Sequence, residues 1–193
     1  MAKALFIIDV QNDFTEGGAL EINGGAAVAG DITEYLSDSR GEYDYIFASR
    51  DWHDEESDNG GHFSEEPDFV DSWPAHCVAG TEGAEYHPDL DVSRINFHIR
   101  KGEGEPAYSI FEGVSQDGLN MFELIHDFDI TEVDVVGLAT DHCVRASALD
   151  ALDEGLSVTV LTNLVAGVGE ESSAAALEEI VEAGGTLRST EDD

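Results

Sequence analysis

Basic residues are scarce. The 193-residue chain carries 8 Lys plus Arg, of which only Lys3 and Lys101 are lysines, against 43 Asp plus Glu, for a net charge of −35. Phosphate backbones are bound through Lys and Arg, so this negative field excludes a nucleic-acid partner. An anionic membrane surface is excluded by the same repulsion. Cysteine is scarce too: Cys77 and Cys143 cannot staple a chain of this length, which points to a reduced, cytoplasmic setting. Long apolar runs are missing, since no stretch approaches the ~18 residues a membrane span requires. The opening MAKALFIIDV, one Lys and a short apolar run that meets Asp9, reads as neither a signal peptide nor a span.

High net charge can signal disorder, but 41% of the residues are hydrophobic and they fall into well-formed runs. The reading is therefore one folded, soluble, acidic domain over residues 1–193. Its acidic loops and near absence of Lys suit a cytosol of molar salt, where screening over about 3 Å removes most self-repulsion.

Ala4 to Val10 (ALFIIDV) is a continuous apolar run, as expected for a parallel strand buried on both faces. Val28, Ile32, Tyr35 and Leu36 follow at helical spacing, and Tyr45 to Ser49 gives a second strand. A polar, Gly-rich, acidic stretch then runs from about 51 to 91, long enough to be a functional lid or metal loop. Beyond it, Ile95 to Ile99 reads as a strand, the Leu119, Phe122, Ile125, Phe128 stripe as a helix, and Val133 to Leu138 as a strand. A helix over Asp141 to Glu154, a strand over Ser157 to Leu161, a helix over Glu170 to Ala183 and a terminal strand near Leu187 complete the pattern. Alternating strands and helices predict an α/β fold: a doubly wound, mainly parallel sheet with helices on both faces, in a three-layer, Rossmann-like arrangement.

Ligands of such sheets sit outside the carboxyl ends of the strands. Asp9 closes the first strand, Lys101 follows the third, and Cys143 begins the helix after the fourth. A cysteine in a first helical turn feels the dipole and nearby N–H groups, which favour thiolate. A carboxylate can take its proton and a lysine can stabilise the gathered charge, giving a nucleophile set for an amide or ester carbonyl. Each residue also has a structural reading: Cys143 as a small buried hydrophobe, Asp9 as a turn cap, Lys101 as a solvated partner of Arg100.

The long loop holds a second group. Asp51 and His53 are two apart after a strand, so extended backbone points both the same way, and His62 and His76 follow. Three imidazoles and a carboxylate suit one divalent ion, Zn²⁺ first with Fe²⁺ or Mn²⁺ as alternatives, although scattered surface histidines would look similar. Cys77 beside His76 is a weaker ligand candidate, and His87, His98 and His126 receive no role.

FIIDVQNDF (6–14), SRDWH (49–53), HFS (62–64), WPAHCVAGTEGAEYHP (73–88), RKGEGEPAYSIFEG (100–113) and GLATDHCVRASALDA (137–151) together resemble, in order, the motifs of the isochorismatase-like hydrolases and, within them, the nicotinamidases. The resemblance covers nearly the whole chain. It implies hydrolysis of nicotinamide to nicotinate and ammonia, with Asp9, Lys101 and Cys143 catalytic and an oxyanion hole of the Ala139 and Cys143 amides. It also implies a cis peptide between Leu138 and Ala139, a metal held by Asp51, His53, His62 and His76, and a ring pocket of Phe14, Trp73 and Tyr108. The interval from His53 to His62, with Asp54, Glu55, Glu56 and Asp58, is longer than the family's usual loop, so the place of His62 depends on how that loop folds. The partner implied is a small molecule, and a homo-oligomer is compatible with the sequence.

Two other readings remain at this point: a metal-independent N-carbamoyl or ureido amidohydrolase of the same superfamily, and a non-catalytic α/β ligand-binding protein. The second has no need of a base beside a thiol. The salt-adaptation reading has its own check: the melting temperature is expected to climb with KCl concentration, and a flat response would remove it.

Overall fold

The computed structural model describes residues 1–39 and 41–192. Among them seven strands form one sheet: β1 (Ala2–Ile8), β2 (Tyr45–Asp51), β3 (Phe97–Lys101), β4 (Val114–Ser115), β5 (Ile130–Leu138), β6 (Ser157–Ala166) and β7 (Thr186–Arg188). Their order is β4-β3-β2-β1-β5-β6-β7. All pairs are parallel except β3 with β4.

Alternation along β1 divides the core. Ala4, Phe6 and Ile8 pack into one apolar cluster with Met121 and Leu124 of α2 (Met121–Asp127), Ala148 and Ala151 of α3 (Arg145–Asp153) and Ile180 of α4 (Glu170–Glu182). Leu5 and Ile7 point the other way, into a cluster with Val28, Ala29, Ile32 and Leu36 of α1 (Gly25–Asp38). The three-layer expectation is met. On the α1 side the long polar segment helps to cover the sheet, with Leu90 in the core and Tyr86 packed against it.

Several boundaries move. Lys101 is the last residue of β3 rather than a residue beyond it, and β6 continues five residues past Leu161. The helix expected over Asp141 to Glu154 is split: Thr140–Val144 is a π-helical turn, and α3 starts at Arg145. A single widened turn of this kind carries no distinct residue pattern. The two-residue strand β4 went unrecognised because it is too short to show alternation.

The switch point lies between β1 and β5, where the chain runs to opposite sides of the sheet. Gly137 sits there with φ +113°, and an added Cβ would fall 2.1 Å from the Ile8 carbonyl oxygen. Glycine is what allows β5 to approach β1 at the site-bearing end. The next peptide, Leu138–Ala139, is cis, as the resemblance implies. Gly137→Ala, forced to accommodate both the clash and the φ, is expected to lose about 2–4 kcal/mol of stability. A thermal melt checks this; an unshifted midpoint would show that the strand end relaxes freely.

Candidate active site

Asp9 follows β1 with φ +47°, a left-handed conformation that turns its carboxylate into the sheet end. Ser49 of β2 donates its hydroxyl to Asp9 Oδ1 at 2.7 Å. Lys101 Nζ lies 2.8 Å from Asp9 Oδ2, ion-pairs with Asp51 Oδ1, and reaches Cys143 Sγ at 3.6 Å. All four of Asp9, Asp51, Lys101 and Cys143 are buried. The expected nucleophile set is thus brought together by the ends of three strands and the turn after β5.

The two carboxylates on this ammonium differ. Burial pushes the Asp9 carboxyl up, with Lys101 pulling against it and Asp51 adding to it. Burial works the same way on Asp51, but there Lys101 and the facing imidazoles of His53 and His76 win, and its carboxyl is held well below the usual range. Lys101 would be lowered by burial, yet Asp51 and Asp9 raise it well above an ordinary lysine. The thiol departs from the sequence expectation. Burial pushes Cys143 well above the usual range, Lys101 offsets part of this, and Asp9 and Asp51 reinforce it.

On the far side of Asp51 lies the imidazole group. His53, His62 and His76 place ligand atoms within 4.8 Å of one another, all three buried. Asp51 Oδ2 is 3.4 Å from His53 Nε2 and 3.7 Å from His76 Nε2. The acidic loop therefore does return His62 to the cluster despite its length. It does so through a tight internal knot: the buried Asn59 side chain accepts from Asp54 N at 2.8 Å and from Gly104 N at 3.1 Å.

The rings are oriented from behind. His53 Nδ1 is 2.8 Å from the Gly102 carbonyl and His76 Nδ1 is 2.8 Å from that of Pro74, which leaves both Nε2 atoms facing Asp51. His53 Nε2 and His62 Nδ1 are buried without a hydrogen-bond partner, a costly state unless an ion takes the lone pairs. Burial and the other two imidazoles bring His62 down to about 4, so it is neutral and able to ligate. A Cβ on Gly102, whose φ is +77°, would come within 2.5 Å of the His53 ring. The Cys77 thiol instead faces the Gly83 carbonyl at 4.0 Å and does not join the three imidazoles. His87, His98 and His126 lie elsewhere; His98, for example, pairs with the Tyr86 hydroxyl at 2.9 Å.

A cavity of about 300 Å³ opens between the two groups, lined by Phe14, Trp73, Tyr108, Ala139, His142 and Cys143 among others. Trp73 Nε1 donates to the Tyr108 hydroxyl at 3.1 Å, and His142 packs edge-on against Trp73. The three expected aromatics do line the space. Sequence reasoning missed His142, although it adjoins Cys143, and it missed Ser49 and Gln11. Buried Gln11 grips the Asp51 backbone from both sides, donating to its carbonyl and accepting from its amide at 2.9 Å each. Both residues lie inside quoted motifs, but a neutral side chain in a motif gives no chemical signal.

The isochorismatase domain model matches residues 3–192. The nicotinamidase/pyrazinamidase of Mycobacterium tuberculosis is 49% identical, over 92% of this chain and 94% of that protein. Among solved structures, PnC1 from L. infantum in complex with nicotinate has a TM-score of 0.84 at 35% identity, over 98% of this chain and 93% of that one. The pyrazinamidase of Pyrococcus horikoshii in complex with zinc gives 0.83 at 34%, covering 98% and 99%. In sequence and in fold, the chain belongs to the isochorismatase domain family.

Proposed function

We propose that this protein hydrolyses nicotinamide to nicotinate and ammonia through a Cys143 thioester, as a step of NAD salvage. One observation carries the reading: a thiol that lines the cavity is backed by a buried ammonium paired with a carboxylate, and two imidazoles of the three-histidine cluster line the same cavity.

Asp9 is the proton carrier. Burial raises its carboxyl, so it holds a proton more readily than a solvated acid, and it shares the Lys101 ammonium with the Cys143 thiol whose proton it takes. Asp9 takes the Cys143 proton as sulfur attacks the carboxamide carbon. The oxyanion rests on the backbone N–H groups of Ala139 and Cys143, a preorganised pair of the kind worth about 3–4 kcal/mol per donor. Asp9 then gives its proton to the departing nitrogen, ammonia leaves, and Asp9 draws a proton from the water that cleaves the thioester. Lys101 stays cationic throughout, because two carboxylates hold it so, and it balances the charge that develops on sulfur.

The His53, His62 and His76 group fits a divalent ion, with the Asp51 carboxylate beside two of its rings as a fourth ligand, and zinc is proposed first, given the zinc complex of the Pyrococcus relative. When bound, it supplies a Lewis-acid anchor for the pyridine nitrogen. Phe14, Trp73 and Tyr108 bracket the ring, and this aromatic lining favours an aromatic amide over an open-chain carbamoyl compound. The residues around the cavity thus hold the amide carbon toward Cys143. The enzyme is proposed to work in a salt-rich cytoplasm; no described helix is long and apolar enough to cross a membrane.

Purified protein in high salt is expected to release ammonia from nicotinamide, and Cys143→Ala to lower the rate at least about 10³-fold. Turnover of a carbamoyl or ureido compound with none of nicotinamide would move the assignment to the metal-independent amidohydrolases. For the metal, His62→Ala is expected to cut the bound ion well below one per chain by elemental analysis; an unchanged content removes His62 from the ligand set.

A further inference from the structure

Asp13 lies outside every role so far assigned, yet its carboxylate is held more closely than a solvated acid needs to be. It occupies the 3-10 turn Asn12–Phe14 that follows Asp9. Its Oδ2 accepts the Cys77 backbone N–H at 2.7 Å, and its Oδ1 accepts that of Ala19 at 3.3 Å. Two glycines make room for it. A Cβ on Gly83 would stand 2.2–2.5 Å from the Asp13 carboxylate atoms, and one on Gly18 would stand 2.5 Å from the Asp13 Cα.

What Asp13 grips is a backbone that ordinary residues avoid. Cys77 has φ +46°, with neither glycine nor asparagine there to ease it. The Cys77 carbonyl accepts the His53 N–H at 3.0 Å, and the residue before Cys77 is His76. One residue in the left-handed region therefore links the two imidazole-bearing segments, its N–H bound by the Asp13 carboxylate and its carbonyl by the His53 N–H. On the other side of the turn, Phe14 packs its ring 5.6 Å from that of His76.

We propose that Asp13 is a positioning residue for the metal centre: by accepting the Cys77 N–H it fixes the left-handed turn that aims His76 at His53 and His62. The inference rests on the reading of the histidine cluster as a metal site. Outer groups of this kind typically tune metal affinity 10- to 100-fold without touching the ion.

The test uses full-length protein stripped with a chelator and titrated with Co²⁺, following the visible d–d absorption, whose intensity reports coordination geometry. Wild type is expected to bind one Co²⁺. Asp13→Ala is expected to weaken binding about 10- to 100-fold and to alter the band shape. Asp13→Asn retains an acceptor oxygen and is expected to restore most of the affinity and the wild-type spectrum. Gly83→Ala keeps the acid but pushes it off Cys77, so it is expected to behave like Asp13→Ala. Should Asp13→Ala fail to fold, Gly83→Ala against Asp13→Asn carries the comparison. Equal affinity and identical spectra in wild type and the folded variants would overturn the role of Asp13 alone. A wild type that takes up no Co²⁺ would overturn the metal reading beneath it.

Discussion

The ammonium of Lys101, buried between Asp9 and Asp51 and touching Cys143, is the interaction to which the two halves of the site are tied. Removing a carboxylate from water is affordable only beside a compensating charge, and here one cation serves two acids. Breaking one side of such a buried arrangement leaves an unpaired charge at a cost of about 3–5 kcal/mol. The end of β3 therefore fixes the ends of β1 and β2, and with them the thiol on one side and the imidazoles on the other.

That shared cation also explains how two acids a few ångströms apart take opposite roles. Asp51 faces Lys101 and the imidazoles of His53 and His76 and is held low, while Asp9 is raised first by burial, with Asp51 adding to it and Lys101 and the Ser49 hydroxyl only partly offsetting it. A permanently ionised acid suits a cation site; an acid that titrates within reach of a thiol suits proton transfer. The sheet sets this division of labour, because Asp51 ends a strand in line with β3, whereas Asp9 sits one residue past its strand in a left-handed turn.

Much of this was legible in the sequence, for physical reasons that can be named. Asp9 breaks an apolar run, where an acid is expensive; Lys101 is one of two lysines kept in a chain that has shed the rest; Cys143 opens the segment after a strand. Asp51 and His53 share a side because extended backbone has period two, and their side chains meet at 3.4 Å. Other features arise only from tertiary contacts. Whether the loop after His53 returns His62 depends on the Asn59 knot, which has no pattern beyond a polar loop. The protonation preference of Cys143 depends on burial rather than on its place in a helix, and burial is a tertiary quantity. Gln11, Ser49 and Gly102 act by fit, through hydrogen bonds and the absence of a Cβ, and fit leaves no trace in composition.

The chain has two tryptophans, and neither belongs to the packed interior between sheet and helices. Trp73 forms part of the cavity wall, bonded to Tyr108 and edge-on to His142. Trp52, between Asp51 and His53 in the chain, lies under the guanidinium groups of Arg50 and Arg100. Tryptophan emission, excited selectively at the red edge where tyrosine does not absorb, accordingly originates around the site and not in the core, so its colour and intensity report on the cavity and its rim.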